Sequence, residues 1–196
     1  MSLKRSFDFF FSMFGLFFFC WLIIILWLIA TIDTKSNGFF IQKRVGKGGE
    51  LFNLFKIKTM KPLIGIQTTV TTINDTRITK WGSFFRKTKL DELPSLWNVL
   101  QGDMSLVGPR PDVPGYADKL EGSDRRILEL RPGITGPATL KYANEEQLLA
   151  SIDDPIKYND EVIFPDKVKI NLEYLDNWSL WGDSKIIFRT VFRMNY

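Results

Sequence analysis

The 196-residue chain contains no histidine. Ser-His-Asp and Cys-His machinery and histidine metal sites are therefore excluded. The only cysteine, Cys20, lies inside a long apolar segment, which removes disulfides, CxxC redox chemistry and thiolate zinc sites. An enzyme made from what remains needs a carboxylate, a lysine, a hydroxyl or a water as its nucleophile or base. Any metal it used would be a hard cation held by oxygen, Mg²⁺ foremost. Also missing are internal repeats, low-complexity tracts and any spacing of basic and aromatic residues that reads nucleic acid, so no nucleic-acid partner is expected.

What is present divides unevenly along the chain. Charged residues make up 24% and hydrophobic ones 45%, with a net charge of +4 and a pI near 9.1. That balance suits an anionic partner, either a membrane surface or a phosphate-bearing substrate. Residues 9–32 form a run of 24 positions with no charge. As a helix the run is about 36 Å long, against a hydrocarbon core of about 30 Å. We therefore expect a membrane-inserted helix over residues 1–34 and a catalytic domain with interfacial helices over residues 35–196. Lys4 and Arg5 flank the run on one side, and Lys35, Lys43, Arg44 and Lys47 on the other. Cations at both ends fit a spanning and a re-entrant path alike. The run contains Gly15 but no proline to break it.

Downstream, residues 39–45 and 51–59 read as two strands joined by Gly46-Lys47-Gly48-Gly49. This glycine cluster lacks the GxxxxGK[ST] order of a phosphate loop and reads as a hairpin turn. Lys56 and Lys58 alternate with Phe55 and Ile57, which puts both lysines on one strand face. Residues 68–73 read as a strand, and residues 123–129, 145–152, 165–177 and 184–194 as helices. The last of these, preceded by Trp178 and Trp181, fits a membrane interface or the domain's own core equally well. The whole reads as an α+β fold: mostly helical, with a small β-hairpin or sheet behind the membrane helix.

The most informative stretch is residues 86–111, RKTKLDELPSLWNVLQGDMSLVGPRP. Leu90, Leu93, Leu96, Trp97 and Leu100 recur at three and four, the spacing of one helix face. Pro94 places the helix start nearby and Gly102 supplies a stop. Asp91 and Glu92 then sit at or just before the helix N-terminus, with Arg86 and Lys87 upstream and the stiff Gly108-Pro109-Arg110-Pro111 turn downstream. A second stiff turn, Arg131-Pro132-Gly133-Ile134-Thr135-Gly136-Pro137, also carries an arginine at its entrance. Lys56, Lys58, Arg86, Arg110 and Arg131 are the candidate phosphate-binding cations, since guanidinium and ammonium groups bind phosphoryl oxygens by charge-assisted hydrogen bonds. With no histidine and no usable cysteine, a carboxylate is the natural nucleophile, and an aspartate can form an acyl phosphate. Asp91 takes that role and Glu92 a general acid/base or positioning role.

In order and spacing these motifs resemble the bacterial sugar transferase family, the monotopic phosphoglycosyl transferases. The similar stretches are Lys4-Arg5 with Phe7-Asp8, Gln42-Lys43-Arg44-Val45-Gly46-Lys47, Lys56-Ile57-Lys58-Thr59-Met60 and Leu90-Asp91-Glu92-Leu93-Pro94. They continue through Asn98-Val99-Leu100-Gln101-Gly102-Asp103-Met104-Ser105, Val107-Gly108-Pro109-Arg110-Pro111 and Arg131-Pro132-Gly133-Ile134-Thr135-Gly136. The resemblance implies attack by Asp91 on the β-phosphate of a UDP-sugar, with Mg²⁺ contacting Asp91, and passage of the phosphosugar to undecaprenyl phosphate. It also implies the bacterial inner membrane, with the catalytic domain on the cytoplasmic face among membrane lipid; whether two copies pair as a homodimer is left open. The Ser-Pro pair that breaks the family's membrane helix has no counterpart in residues 9–32. Beyond Pro137, Ala138-Thr139-Leu140-Lys141 replaces the family's usual Ala-Gln-Val-Asn, so the sugar is not assigned by analogy. The chain is expected to hold the catalytic module without a multispanning N-terminal domain. Two other readings stand beside this one: a non-catalytic membrane module that binds anionic lipid or a glycan-assembly partner, and a lipid phosphatase.

Overall fold

A computed structural model describes residues 2–61 and 76–192 of the chain. Helix α1 runs unbroken from Ser2 to Thr34. It is long and apolar enough to cross a membrane. A helix suits such a segment because each backbone polar group finds its partner within the helix. Even the hydroxyls turn inward: Ser12 Oγ donates to Phe9 O, Thr31 Oγ1 to Trp27 O and Thr34 Oγ1 to Ala30 O.

Both ends of α1 rest on the rest of the chain. At the first, Lys4 Nζ meets Asp183 Oδ2 at 2.6 Å, and Arg5 donates to Val99 O and Leu100 O. Asp8 Oδ1 accepts from Leu106 N. At the other end Leu26 and Ala30 share a buried cluster with Ile57 and Phe85, and Gly38 N donates to Thr31 Oγ1. Between these anchors one side of α1 is bare: Phe10, Phe14, Phe17, Trp21, Ile24 and Ile32 are all exposed. An apolar face this large points to membrane association.

Strands β1 (Phe39–Val45) and β2 (Leu51–Ile57) pair antiparallel, from Phe39 opposite Ile57 to Val45 opposite Leu51. The expected turn joins them as a 3-10 turn, with Gly48 at φ 72°. The strand read at residues 68–73 lies outside the described residues. Helix α2 (Lys80–Thr88) is capped by Thr79, whose Oγ1 accepts from Gly82 N. A 3-10 turn over Leu90–Glu92 then leads into α3 (Ser95–Gln101), which ends at Gly102 with φ 100°.

The single apolar face read for this helix is divided in the structure. Its most deeply buried positions are Ser95, Asn98 and Val99. Asn98 Nδ2 donates to Asn53 O, Asn98 Oδ1 accepts from Phe55 N, and Ser95 Oγ donates to Phe55 O. A two-stranded sheet leaves a bare edge on β2, and these side chains satisfy it. Val99 joins Leu54 and Met104 in the core, whereas Leu96 lies against Gly15 of α1 and Trp97 stays exposed.

Strand β3 (Ser105–Val107) runs parallel to β4 (Gly133–Thr135). A Cβ on Gly108 would collide with Arg131 O, one on Gly133 with Gly108 N, and one on Gly136 with Gly108 O. Three glycines thus press the two proline-bearing turns together, backbone against backbone. Gly108 N donates to Thr135 O and Gly133 N to Pro109 O.

Past a 3-10 segment at Asp124–Glu129, the chain continues through α4 (Pro137–Lys141), α5 (Glu145–Ala150), α6 (Pro155–Tyr158), α7 (Phe164–Asp176) and α8 (Leu180–Val191). Helix α8 begins at Leu180, ahead of the expected residue 184, because Ser179 Oγ caps it by accepting from Gly182 N. Trp178 turns inward, its Nε1 donating to buried Asp183. Trp181 and Phe188 remain exposed, as do Trp81 and Phe84 on α2. The fold is α+β, largely helical, with two small sheets.

Candidate active site

The acid pair lies where α2 hands over to α3. Lys89 ends α2 in the left-handed region, at φ 60° and ψ 16°. That conformation is uncommon for a residue with a Cβ. It turns the chain so that both Asp91 and Glu92 enter a 3-10 turn and become buried, at 9% and 7% exposure.

The two carboxylates have different surroundings. Glu92 Oε1 accepts from Lys56 Nζ at 2.8 Å and from Arg110 Nη2 at 3.3 Å. Burial alone would raise its pKa, but the charges of Lys56, Arg110 and Lys89 prevail and hold Glu92 well below the usual carboxylate range. Asp91 shifts the other way: burial raises its pKa, the Glu92 charge raises it further, and Lys56, Lys89 and Arg86 only partly offset both. Asp91 Oδ1 is buried and has no hydrogen-bond partner.

Asp91 and Glu92 line an open groove of about 1800 Å³, as do Lys56, Lys58, Arg86 and Arg110. Among the described residues its lining holds twelve lysines and arginines against five carboxylates. Phe19 and Leu22 of α1 contribute to the lining, as do residues of α4 and α7.

Each predicted cation has a definite place. Arg110 is aimed by its Gly-Pro-Arg-Pro turn, and the Glu92 charge raises its pKa more than burial lowers it. Burial lowers the pKa of Lys56 while Glu92 opposes the shift. Arg86 pairs with Glu146 of α5 and lies close enough for its charge to act on Asp91. Lys58 follows the end of β2 and donates to Ser36 Oγ at 3.0 Å, so it shares the groove with Lys56 but not its partner. Arg131 is not brought to the groove; its Nε donates to Gly102 O at 2.7 Å. Its turn serves the site indirectly, by clamping the turn that carries Arg110.

Three groove residues escaped the sequence reading. Arg44 donates to Pro111 O and to Gln42 Oε1, bracing the Arg110 turn, and burial together with Arg110 lowers its pKa to about 10. The pKa of Asp112 is pushed up to about 6 by burial, against the pull of Lys167, Arg44 and Arg110. Lys89 was passed over as one more lysine, and only its left-handed backbone marks it.

Groove-lining cations around a buried acid pair with one unpartnered carboxylate oxygen suit phosphoryl chemistry. The chain matches the bacterial sugar transferase family over residues 1–195. It belongs to that family.

Among the curated members, a UDP-glucose:undecaprenyl-phosphate glucose-1-phosphate transferase of Xanthomonas campestris pv. campestris is 38% identical over 179 residues, covering 87% of this chain and 34% of that protein. The galactosyl transferase CpsE of Streptococcus agalactiae is 36% identical over 183 residues, covering 86% of this chain and 37% of its own. The uncharacterized sugar transferase EpsL of Bacillus subtilis is 37% identical over 193 residues, 97% of this chain and 86% of its own. The chain thus spans little more than a third of the length of the first two relatives.

Among the described residues no three Asp, Glu, His or Cys side chains gather to hold a metal by themselves. Mg²⁺, however, is commonly bound by one or two carboxylates together with substrate phosphates. Asp91, a carboxylate among the residues lining the groove, fits that mode.

Proposed function

We propose that the chain transfers a sugar 1-phosphate from a UDP-sugar to undecaprenyl phosphate through a covalent aspartyl-phosphosugar intermediate. The observation that carries this reading is Asp91, a buried carboxylate among the residues lining a cationic groove, whose Oδ1 has no hydrogen-bond partner. In the first step that oxygen attacks the β-phosphorus, the bond from phosphorus to the bridging oxygen breaks, and UMP leaves with the electron pair. In the second, a phosphate oxygen of undecaprenyl phosphate attacks the same phosphorus and Asp91 departs as a carboxylate, leaving an undecaprenyl diphosphate sugar. Neither attacking group needs a proton removed.

Glu92, held ionised by Lys56 and Arg110, is too weak a base to move protons near neutral pH. Its role in this mechanism is to fix those two cations beside the transferring phosphoryl group, whose charge they offset. Arg86 adds positive potential on the Asp91 side. Mg²⁺ held by Asp91 and the diphosphate oxygens would neutralise substrate charge.

The groove lining by Phe19 and Leu22 supports entry of a polyprenyl chain along α1. Because one charged body holds both ends of α1, we place both ends on one side of the bilayer, at the cytoplasmic face of the inner membrane. The name of the Xanthomonas relative supports the reaction class.

The test is UMP release from UDP-sugars by detergent-purified protein with Mg²⁺, wild type against Asp91→Asn. Release abolished by the substitution is the expected result. Release that survives it overturns the nucleophile. No release from any UDP-sugar favours the non-catalytic membrane module, and free inorganic phosphate from the lipid favours a phosphatase.

A further inference from the structure

Beyond the acid pair, the groove continues between α4 and α7, and two polar atoms there have no partner. Asn171, in the middle of α7, is only 5% exposed, yet its Oδ1 is buried without a hydrogen bond. Thr139 Oγ1 on α4 is in the same condition. Both residues line the groove. Buried polar atoms in folded proteins are nearly always satisfied, and leaving one bare is costly. Two bare oxygens on residues that line one groove, far along the chain from the acids, mark a place shaped for something that supplies hydrogen-bond donors.

The intervening residues connect this place to the reaction centre. Arg110 touches Glu92, its charge and that of Lys167 both act on Asp112, and Lys167 of α7 donates to both carboxylate oxygens of Glu145. The walls therefore run from the phosphate-binding cations to Asn171 without leaving the groove. A UDP-sugar whose β-phosphate sits at Asp91 carries its sugar on that same phosphate. Phe19 and Leu22, the groove residues contributed by α1, suit the lipid instead.

We infer that Asn171 and Thr139 form the sugar subsite of the donor, accepting hydrogen bonds from hydroxyl or amide N–H groups on the hexose. The inference rests on the transferase reading, because it is the donor's diphosphate that brings a sugar here. It assigns both residues to binding, with no part in bond making.

The test is equilibrium binding of UDP-glucose, UDP-galactose, their N-acetylamino counterparts and UDP alone to the full chain in detergent, for wild type, Asn171→Leu and Thr139→Val. Thr139→Val keeps the shape of the side chain, so it serves even where Asn171→Leu folds poorly. In wild type at least one UDP-sugar should bind more tightly than UDP. Each substitution should weaken that sugar by about tenfold, the worth of one hydrogen bond, and leave UDP unchanged. Loss confined to the N-acetylamino donors assigns an amide N–H as the group recognised, and loss on the plain hexoses assigns a hydroxyl. Equal affinity of wild type for UDP and every UDP-sugar overturns the inference. So do losses that fall equally on UDP, and Thr139→Val with no effect on any sugar. Because the readout is binding, it remains decisive even if no UMP is released, the result that sinks the transferase reading alone.

Discussion

Lys56→Met puts the electrostatics of the acid pair to the test. In the native chain the Glu92 carboxylate is only 7% exposed, and its principal partner is Lys56 Nζ at 2.8 Å, with side-chain exposures of 17% and 9%. The second cation, Arg110, is farther away at 3.3 Å and its side chain is 44% exposed, so water screens part of its pull. Methionine fills the volume of the lysine stem but leaves Glu92 with that weaker partner alone. Removing one side of a buried ion pair costs about 3–5 kcal/mol. At roughly 2–4 °C per kcal/mol for a chain of this length, Tm should fall by about 6–20 °C. The assay is thermal melting in detergent, followed by circular dichroism, for Lys56→Met, Glu92→Gln and the double variant. Because the cost comes from a stranded charge, the double variant should be more stable than Lys56→Met and the two substitutions clearly non-additive. A loss under about 1 kcal/mol, the size of a surface pair, or strict additivity refutes the argument.

Glu92→Gln should also move the pH profile of UMP release. Asp91 must be ionised to attack, and burial followed by the Glu92 charge raises its pKa, so the wild-type acid limb should lie above the ordinary aspartate value of about 3.9. Removing the neighbouring charge should shift that limb to lower pH, whereas an unmoved or alkaline-shifted limb contradicts the assignment. Asp112 has its pKa raised from 3.8 to about 6 by burial, so the folded state favours its neutral form. The protein is thus relatively most stable below the unfolded value and loses about 3 kcal/mol as pH rises through 6, at about 1.36 kcal/mol per pKa unit. Asp112→Asn should gain stability relative to wild type between pH 4 and pH 7, and melting curves with equal pH slopes would count against this. Cysteines placed at residues 2 and 35 in a Cys20→Ser background should label from the same side of sealed vesicles; labelling from opposite sides means that α1 crosses.

Much of this architecture was readable from local chemistry. The hairpin followed from alternation around a glycine cluster, and α3 from leucine spacing between Pro94 and Gly102. The acid pair stood out because two adjacent carboxylates sit among cations at a helix start, in a chain without histidine or a usable cysteine. What escaped depends on partners distant in sequence. The leucines of α3 share a helix face by spacing, yet the core takes Asn98 and Ser95 because a bare β2 edge needs hydrogen bonds. Three-residue strands such as β3 and β4 are too short to show a period; glycines 108, 133 and 136 create them by permitting close approach. Arg131 looked equivalent to Arg110, both beside stiff turns, but only pairing of the two turns determines which guanidinium faces Glu92. Lys4 and Arg5 read as membrane flanks, and in the fold they bind Asp183 and the end of α3.

The central claim is that Asp91 itself carries the phosphosugar. Protein incubated with UDP-sugar and Mg²⁺, without undecaprenyl phosphate, should be acid-quenched, digested and read by mass spectrometry. The peptide containing Asp91 should gain the mass of one sugar phosphate, in step with one UMP released per chain, and lose it again when undecaprenyl phosphate is added. UMP release with that peptide unmodified, or with the adduct on another residue, would contradict the account.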